Sequence, residues 1–193
     1  MLFFNSSLRT RLSTQKAALN LGMNPIIMNV SGDSWAIEFA DETIMNGNTA
    51  EHIKEAAAVV SQYADVIAVR AFPSLKDKEK DENEFVINSF LKYASVPIVN
   101  MESSIGHPLQ GLTDAITIAE HTITAKPKVV LSWAPHIKAL PHAVGNSFIQ
   151  AMQKMDVEFV ITNPEGYDLN PEITKNTPIF HNQSVALKEA DFV

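Results

Sequence analysis

Short, almost continuously apolar runs alternate with amphipathic stretches along the chain, and this alternation limits the fold more than any other feature. The apolar runs have the length and composition of parallel strands buried on both faces; they cover residues 1–4, 26–30, 65–69, 96–100, 128–133 and 157–161. The stretches between them have helical spacing, and they cover residues 10–22, 49–63, 82–94, 109–121 and 142–155. Alternating strands and helices predict an α/β protein with doubly wound parallel sheets.

A polar, proline-containing break, TAKPK at 124–128, separates two series of these elements. A helix is predicted directly before the break, and new strands are predicted after it. The sequence therefore predicts two doubly wound parallel-sheet domains, residues 1–124 and 125–193, with a boundary near residue 125.

Both ends of the chain resemble interrupted domains. Residues 1–4 are predicted to be a strand with nothing before it to cover its outer face, and Asp191-Phe192-Val193 resemble the start of another strand. A domain seldom stops inside a core strand, because the strand edge would be left unpaired. We expect the chain to be a fragment that lacks both ends.

Two local features have simple interpretations. The charged run from Lys76 to Glu84 is interpreted as a solvated loop and the start of a helix. Thr49 is the predicted N-cap of the helix over 49–63.

Charge and composition exclude several classes of protein. The net charge is −7 and the basic residues are scattered, so no nucleic-acid partner is expected. No apolar run approaches the roughly 18 residues that span a bilayer, and the N-terminus lacks the pattern of a signal peptide. The chain has no cysteine, which excludes disulfides, thiolate nucleophiles and cysteine metal sites. We expect a cytoplasmic, soluble protein without a metal.

Hydrogen-bond donors are concentrated in FFNSSLRTR, residues 3–11. The first strand leads into Asn5-Ser6-Ser7, and a helix starts near Leu8 or Arg9. The free N–H groups of that helix would face the edge where open α/β sheets bind ligands, which favours an anion site. Ser7 and Thr10 can add hydroxyl donors, and Arg9 can bind phosphate oxygens in a bidentate manner.

The alternative is that Ser6 or Ser7 only caps the helix and both arginines are solvated. The glycines form neither G-x-G-x-x-G nor G-x-x-x-x-G-K, so the dinucleotide and P-loop interpretations are weak.

Three more polar clusters follow predicted strands; they are Arg70, MESSIGHPLQ (101–110) with Glu102, His107 and Gln110, and WAPHIKALP (133–141) with His136. Considered singly, a strand-end arginine is often part of a structural ion pair, and a lone loop histidine usually has no catalytic role. A buried arginine at this place needs an anionic partner. Four polar clusters at the same edge indicate a functional site.

These residues carry a family resemblance. FFNSSLRTR resembles the S-T-R-T-R carbamoyl-phosphate signature of aspartate and ornithine carbamoyltransferases, with Leu8 in place of the usual threonine. HPLQ at 107–110, followed by GLTDAITIAEH, resembles their H-P-x-Q-x-L-x-D-x-x-T-I segment. Leu8, SGDSWAIEF, MESSIGHPLQ and SWAPHIKALP resemble the branch that acts on N-succinylornithine or N-acetylornithine. The resemblance covers all 193 residues, and the first helices and the C-terminal portion of the family are absent from this sequence.

The resemblance implies that residues 1–124 bind carbamoyl phosphate and that residues 125–193 bind the acylornithine. The phosphate would be held by Ser7, the Leu8 backbone, Arg9 and Thr10. Arg70 would bridge the phosphate and the carbonyl oxygen, His107 would donate to that oxygen, and Gln110 would hold the carbamoyl NH₂. Pro108 and Leu109 complete the expected carbamoyl-phosphate site. The resemblance implies neither a cofactor, nor a metal, nor a covalent intermediate.

The remaining implied roles concern the partner subunit and the second substrate. A lone tryptophan usually packs in a core, but Trp35 lies in a polar loop. The corresponding loop of the family reaches the site of the neighbouring subunit, so Trp35 is expected to contact carbamoyl phosphate across the interface of a homotrimer with shared active sites. Glu102 and His136 match positions that contact the acylornithine. The other contacts, namely a lysine, the H-C-L-P loop and two arginines, would lie beyond Val193.

The acyl group is predicted from GNTAEH, the loop before the helix at 49–63. In the branch that the sequence resembles, an acetyl-selective site can carry a carboxylate in this loop that repels a succinyl carboxylate. Ala50 at this position favours succinyl, whereas a one-residue shift to Glu51 would reverse the inference.

The expected reaction carbamoylates the side-chain amine of N-succinyl-L-ornithine and yields N-succinyl-L-citrulline and phosphate, in arginine biosynthesis. The alternatives are N-acetylornithine or ornithine as the substrate, or a non-catalytic phosphate- or nucleotide-binding α/β module. The 193-residue piece alone is expected to be inactive, because residues on the ornithine side are missing.

Overall fold

The structure, a computed structural model, describes residues 1–134 and 136–193, and of Ser31 it describes the backbone alone. Pro135, in the predicted stretch 133–141, lies outside the described residues. The chain forms two compact units, Met1–Ser104 (unit 1) and Ile105–Val193 (unit 2).

Unit 1 is an α/β unit built on a parallel sheet with the strand order β2-β1-β5-β6. A second, two-stranded parallel sheet pairs β3 with β4. Its elements are β1 (Leu2–Phe3), α1 (Arg9–Asn20), β2 (Met28–Asn29), α2 (Val30–Asp33), β3 (Ile37–Glu38), β4 (Glu51–His52), α3 (Ile53–Val60), β5 (Ile67–Arg70), α4 (Lys78–Glu82), α5 (Phe85–Tyr93) and β6 (Ile98–Glu102).

The core of unit 1 lies on both faces of β1, which is an inner strand of the four-stranded sheet. Leu2 packs into the larger apolar cluster with Val69, and Phe3 packs into a smaller one with Met101. Successive side chains of a strand point to opposite faces, which explains why neighbouring residues enter different clusters. The strand 1–4 is therefore fully integrated into the sheet.

Unit 2 is built on a parallel sheet with the order β7-β8-β9. Phe192 pairs in parallel with Val129 on the other side of β7, as expected for a chain end that resembles a strand. The elements are α6 (Pro108–His121), β7 (Lys128–Ser132), α7 (Ala143–Met152), β8 (Glu158–Thr162), α8 (Pro171–Thr174), β9 (Ile179–Phe180) and α9 (Gln183–Ala186).

The predicted α/β class and its parallel sheets are confirmed, and two local predictions need correction or refinement. The helix predicted over 49–63 begins at Ile53, and its N-cap is His52, whose side chain accepts from the Lys54 N–H; the prediction of Thr49 as N-cap was wrong. The charged run contains a short helix of its own, α4, whose N-cap is Asp77.

The compact units divide earlier than the boundary predicted near residue 125. Helix α6 packs against α7, so the helix predicted to end the first domain belongs to unit 2. The domain extents 1–124 and 125–193 stay a prediction about the domains of the family. In the described part of the chain, none of the helices has both the length and the apolar character required to cross a bilayer.

Candidate functional site

Two of the predicted polar clusters, residues 3–11 and Arg70, meet where β1 and β5 end, and Glu102 from a third predicted cluster joins them at the end of β6. Because parallel strands place their carboxyl ends at one edge of a sheet, the loops after Phe3 and Arg70 are neighbours. The Asn5 side chain joins them, since its Oδ1 accepts a hydrogen bond of 2.6 Å from the Phe72 N–H. Asn5 was not among the predicted site residues.

The helix start predicted near Leu8 or Arg9 is confirmed, and its cap is unusual. Leu8 is the N-cap of α1 and provides no side-chain hydrogen bond. The interpretation of Ser6 or Ser7 as the cap is therefore wrong. The first N–H groups of an uncapped helix, together with its dipole, form a favourable place for an anion.

Arg9 stands at this helix start with an exposed side chain. Within residues 1–134 and 136–193 its guanidinium forms neither an ion pair nor a hydrogen bond. Ser7 and Thr10 are half-buried beside it. The four residues predicted to hold phosphate, Ser7 to Thr10, thus form one continuous loop and helix start.

Arg70 is buried, with 7% of its surface exposed, and it has the anionic partner that the sequence required. Its Nε and Nη2 atoms each lie 3.0 Å from Oε2 of Glu102. A register shift between β5 and β6 brings Glu102 opposite Arg70, as β-bulges re-aim side chains. Arg70 is therefore part of a structural ion pair. Its anionic partner is Glu102, which was predicted to contact the acylornithine.

Arg70 also contacts the loop that carries Ser7 and Arg9. Its Nη1 donates to the Ser6 carbonyl at 2.9 Å, and its guanidinium lies over the ring of Phe72 at 4.2 Å from the centroid. The guanidinium is therefore held next to the uncapped helix start, with its charge balanced by Glu102.

The HPLQ segment lies in unit 2 at the start of α6. His107 is the N-cap and Pro108 is the first helical residue, a position that suits proline because its missing N–H would be unpaired anyway. The backbone N–H of His107 donates to Ser147 Oγ at 2.7 Å. Gln110 Nε2 donates to Asp114 Oδ1 at 2.7 Å, and Leu109 is partly exposed.

His136 lies in the stretch between β7 and α7 of unit 2. Its side chain is exposed, and its Nδ1 accepts from the Lys138 N–H at 3.2 Å. The contact is local and leaves the ring at the surface.

Trp35 is 61% exposed, which excludes the alternative that it packs in a core. Its Nε1–H donates to Glu51 Oε2 at 2.7 Å. The next residue, Ala36, accepts a hydrogen bond of 3.1 Å from the Ala50 N–H. The tryptophan loop and the GNTAEH loop are therefore held together.

Ala50 and Glu51 lie on the wall of a cleft of about 700 Å³. His52, Lys54, Asp41, Lys92 and Tyr93 also line it. The cleft is therefore rich in charged groups around the small side chain of Ala50.

Two charged groups of this cleft stabilise each other. Hydrogen bonds from Lys92 Nζ (3.1 Å) and Tyr93 Oη (3.0 Å) reach the Asp41 carboxylate. They hold the pKa of Asp41 below its ordinary value, and the contacts of Lys92 with Tyr93 and Asp41 raise the pKa of Lys92. The pKa of Glu38, at the start of the same loop, is lowered mainly by the Ala40 N–H.

Among the described residues, no three or more histidine, aspartate or glutamate side chains are clustered so that they could hold a metal ion. The donors at the edge of unit 1 are instead cationic groups and N–H groups, which suit an anion.

Parallel sheets with an uncapped helix start and a fixed arginine after neighbouring strands are typical of α/β proteins that bind phosphate-bearing ligands. Residues 1–120 match the family described as "Aspartate/ornithine carbamoyltransferase, carbamoyl-P binding domain". The chain belongs to this family.

Curated relatives refine the comparison. The chain is 49% identical, over all of its 193 residues, to the N-succinylornithine carbamoyltransferase of Bacteroides fragilis (strain 638R), and it spans 61% of the length of that protein. It is 41% identical over 167 residues to the N-acetylornithine carbamoyltransferase of Xanthomonas campestris pv. campestris. This match covers 85% of this chain and 49% of the relative.

A solved structure has the same fold. It is a glutamate-to-valine mutant of N-acetyl-L-ornithine transcarbamylase complexed with carbamyl phosphate and N-succinyl-L-norvaline. The TM-score is 0.92 at 36% identity, over 98% of this chain and 61% of the other.

Proposed function

We propose that the whole protein transfers the carbamoyl group of carbamoyl phosphate to the side-chain amine of N-succinyl-L-ornithine. The products are N-succinyl-L-citrulline and phosphate, and the reaction belongs to arginine biosynthesis. The main support for the proposal is the start of α1 at Arg9, which has no side-chain cap. The guanidinium of Arg70 is fixed to the loop before this helix.

The phosphate of the substrate binds to Ser7, the Leu8 N–H, Arg9 and Thr10. Arg70 has donors to spare for this ligand. A guanidinium carries five N–H groups, and Glu102 and the Ser6 carbonyl occupy three of those of Arg70. The remaining two can bridge a phosphate oxygen and the carbonyl oxygen.

The amine nitrogen attacks the carbamoyl carbon, and the bond between that carbon and the phosphate oxygen breaks. His107 donates to the carbonyl oxygen as its negative charge grows, and Gln110, together with the Pro108–Leu109 backbone, orients the carbamoyl NH₂. Donors of this kind commonly lower a barrier by about 2.7–4 kcal/mol each. The departing phosphate accepts the proton of the amine, so no covalent enzyme intermediate is needed.

The succinyl group is favoured by Ala50. In the acetylornithine relative, a mutant that lacks one glutamate has been solved with a succinyl ligand. Ala50 lies in the loop where we place the corresponding position, and Glu51 is already engaged by Trp35. That hydrogen bond supports Ala50, rather than Glu51, as the residue that faces the acyl group. Glu102 and His136 complete the acylornithine side in this proposal.

We further propose a homotrimer in which Trp35 reaches the carbamoyl phosphate of the neighbouring subunit. Its exposure supports this role, because a large indole at the surface is available for a partner. N-acetylornithine is the second candidate substrate, supported by the relative with 41% identity.

The test is product formation by the full-length protein with carbamoyl phosphate and, in turn, N-succinylornithine, N-acetylornithine and ornithine. We expect the highest kcat/KM with N-succinylornithine. A higher value with N-acetylornithine would refute the succinyl assignment. Tight carbamoyl-phosphate binding without any product would favour the non-catalytic phosphate-binding module.

A further inference from the structure

Two buried polar side chains of α7 hold the loop that leads to His107. Ser147 Oγ accepts from the His107 N–H at 2.7 Å, and Asn146 Nδ2 donates to the Ile105 carbonyl at 3.0 Å. The two hydrogen bonds lie on either side of Gly106, so the loop is fixed at both of its ends.

Both side chains are more than nine-tenths buried; Asn146 is 3% exposed and Ser147 is 5% exposed. Within the described part of the chain, the Asn146 side chain forms one hydrogen bond, which is the bond to Ile105, and its Oδ1 has no partner there. A buried amide and a buried hydroxyl cost free energy unless they form hydrogen bonds. Their use here indicates that the backbone path from Ile105 to His107 is what they maintain.

Helices α6 and α7 contact each other closely at this place. A β-carbon on Gly111 would lie 2.6 Å from the Ser147 carbonyl oxygen, which is too close for any other residue type. The glycine lets the first turn of α6 contact the backbone of α7. Short side chains at 146 and 147 can therefore reach the loop.

Helix α7 is fixed in turn from the sheet of unit 2. The ring of its N-cap residue, His142, packs edge-on against Trp133 at a centroid distance of 5.1 Å. Trp133 follows β7 and donates its Nε1–H to the Tyr167 carbonyl at 2.7 Å. A continuous set of contacts thus leads from the end of β7 to the backbone of His107.

We propose that Asn146 and Ser147 are positioning residues for carbamoyl transfer: they fix the orientation of His107 through the backbone of residues 105–107. This inference rests on the proposed function and adds to it two residues outside the HPLQ motif. Neither side chain contacts the reacting atoms in this proposal, and both act through His107.

The test compares Ser147→Ala, Ser147→Cys and Asn146→Ala in the full-length protein. Cysteine keeps the Ser147 site filled, with a sulfur atom slightly larger than the hydroxyl oxygen, but it is only a weak hydrogen-bond acceptor. A misplacement of about 1 Å can cost on the order of a hundredfold in rate, so we expect kcat to fall about ten- to hundredfold in all three variants. We expect KM for carbamoyl phosphate to change less than about threefold, because the phosphate-binding residues Ser7 to Thr10 are untouched.

Ser89→Ala is the matched control. Ser89 is also a buried helical serine, but its hydroxyl donates to Phe85 within its own helix at 2.7 Å. We expect a similar loss of stability and an unchanged kcat. His107→Ala gives the kcat expected when the donor is absent.

The outcomes separate the possibilities. Full kcat in Ser147→Cys with a low kcat in Ser147→Ala would show that only the volume matters and would overturn the inference. An unchanged kcat in both Ser147→Cys and Asn146→Ala would also overturn it, even if Ser147→Ala failed to fold. Absence of carbamoyl transfer in the parent would refute the proposed function instead.

Discussion

The two arginines at the edge of unit 1 have opposite electrostatic situations. Arg70 is buried and its charge is balanced by Glu102, whereas Arg9 is exposed and has no anionic partner among the described residues. A buried and balanced cation contributes to the architecture of the site. An exposed and unbalanced cation is available to bind a ligand anion.

Arg9→Ala is therefore expected to weaken carbamoyl-phosphate binding strongly. Loss of a charge-assisted bidentate contact costs roughly 2–5 kcal/mol, and titration calorimetry of the full-length protein measures it. Lys16→Ala, which removes an exposed cation farther along α1, should leave the affinity nearly unchanged. Equal affinity of parent and Arg9→Ala would show that the phosphate loop has been assigned wrongly.

Glu102→Ala should destabilise the protein, because it leaves the Arg70 guanidinium buried without its counter-charge. Breaking a buried ion pair in this way costs roughly 3–5 kcal/mol, to be read from urea unfolding. The control is Glu82→Ala, which removes a surface pair with Lys78 at 3.6 Å and should change stability by less than about 1 kcal/mol. Similar losses in both variants would mean that the Arg70–Glu102 pair contributes nothing beyond a surface contact.

At the scale of elements, the segment between β3 and β4 is held to the rest of unit 1 by polar contacts. Asp41 anchors it to α5 through Lys92 and Tyr93, and Trp35 anchors β4 through Glu51. A segment fixed by hydrogen bonds at exposed positions can respond to pH.

The lowered pKa of Asp41 predicts a loss of stability in acid. The stabilisation is complete above the ordinary aspartate pKa of about 3.9 and disappears as the pH falls through the lowered pKa of the folded state. The difference in urea midpoint between pH 7 and pH 3 should therefore be smaller in Asp41→Asn than in the parent. Asp65→Asn, at an exposed position, should behave like the parent; equal differences in all three proteins would contradict the anchoring role of Asp41.

The same segment carries the prediction on acyl specificity. In the proposed site, Ala50→Glu would place a carboxylate against the succinyl carboxylate. At 4 Å and an effective dielectric constant of about 20, the repulsion is roughly 4 kcal/mol before solvent relaxes. The ratio of kcat/KM values should shift from succinyl to acetyl by at least about tenfold. Asn48→Glu adds the same charge to the loop away from the cleft wall and should leave the ratio unchanged. An unchanged ratio in Ala50→Glu would show that residue 50 does not discriminate.

The elements with an apolar or helical pattern could be predicted from the sequence, and those without such a pattern could not. Parallel strands buried on both faces produce apolar runs, so β1, β2 and β5 to β8 were predictable. Strands β3 and β4 include Glu38 and Glu51, which carry no strand pattern, and they form because the tertiary fold brings them together. For this reason the helix predicted from residue 49 begins at Ile53.

In the site, too, the features that a local pattern shows could be predicted, and the features that depend on tertiary contacts could not. The need of Arg70 for an anion followed from its strand-end position, but Glu102 as its partner depends on a register shift between strands 32 residues apart. The contact of His107 with Ser147 joins residues 40 apart in sequence. Motifs give the residues of a site, whereas the residues that hold them in place depend on tertiary contacts.

At the scale of the whole molecule, the proposed homotrimer predicts complementation between subunits. Trp35→Ala and Arg9→Ala chains are each expected to be nearly inactive. In a shared site, one subunit supplies Arg9 and its neighbour supplies Trp35. The site is complete when the first subunit is a Trp35→Ala chain and the second is an Arg9→Ala chain. In a randomised mixture of equal amounts, about one quarter of the sites meet this condition. Activity should therefore rise toward about a quarter of that of the parent.

Subunit exchange is verified by mass spectrometry of the mixed trimers, and each mutant incubated alone is the control. If exchange is complete and activity does not return, Trp35 and Arg9 do not serve the same site from different subunits. That result would leave the family membership intact and remove the shared-site proposal.

The contact between Gly111 and Ser147 has a consequence for inheritance. Every amino acid that a single-nucleotide change can introduce in place of glycine carries a β-carbon, and a β-carbon at 111 would lie 2.6 Å from a backbone oxygen of α7. Each missense allele of this codon is therefore expected to be damaging, independently of the polarity of the new side chain. Natural variation at position 111 should be limited to synonymous codons in populations that depend on this protein.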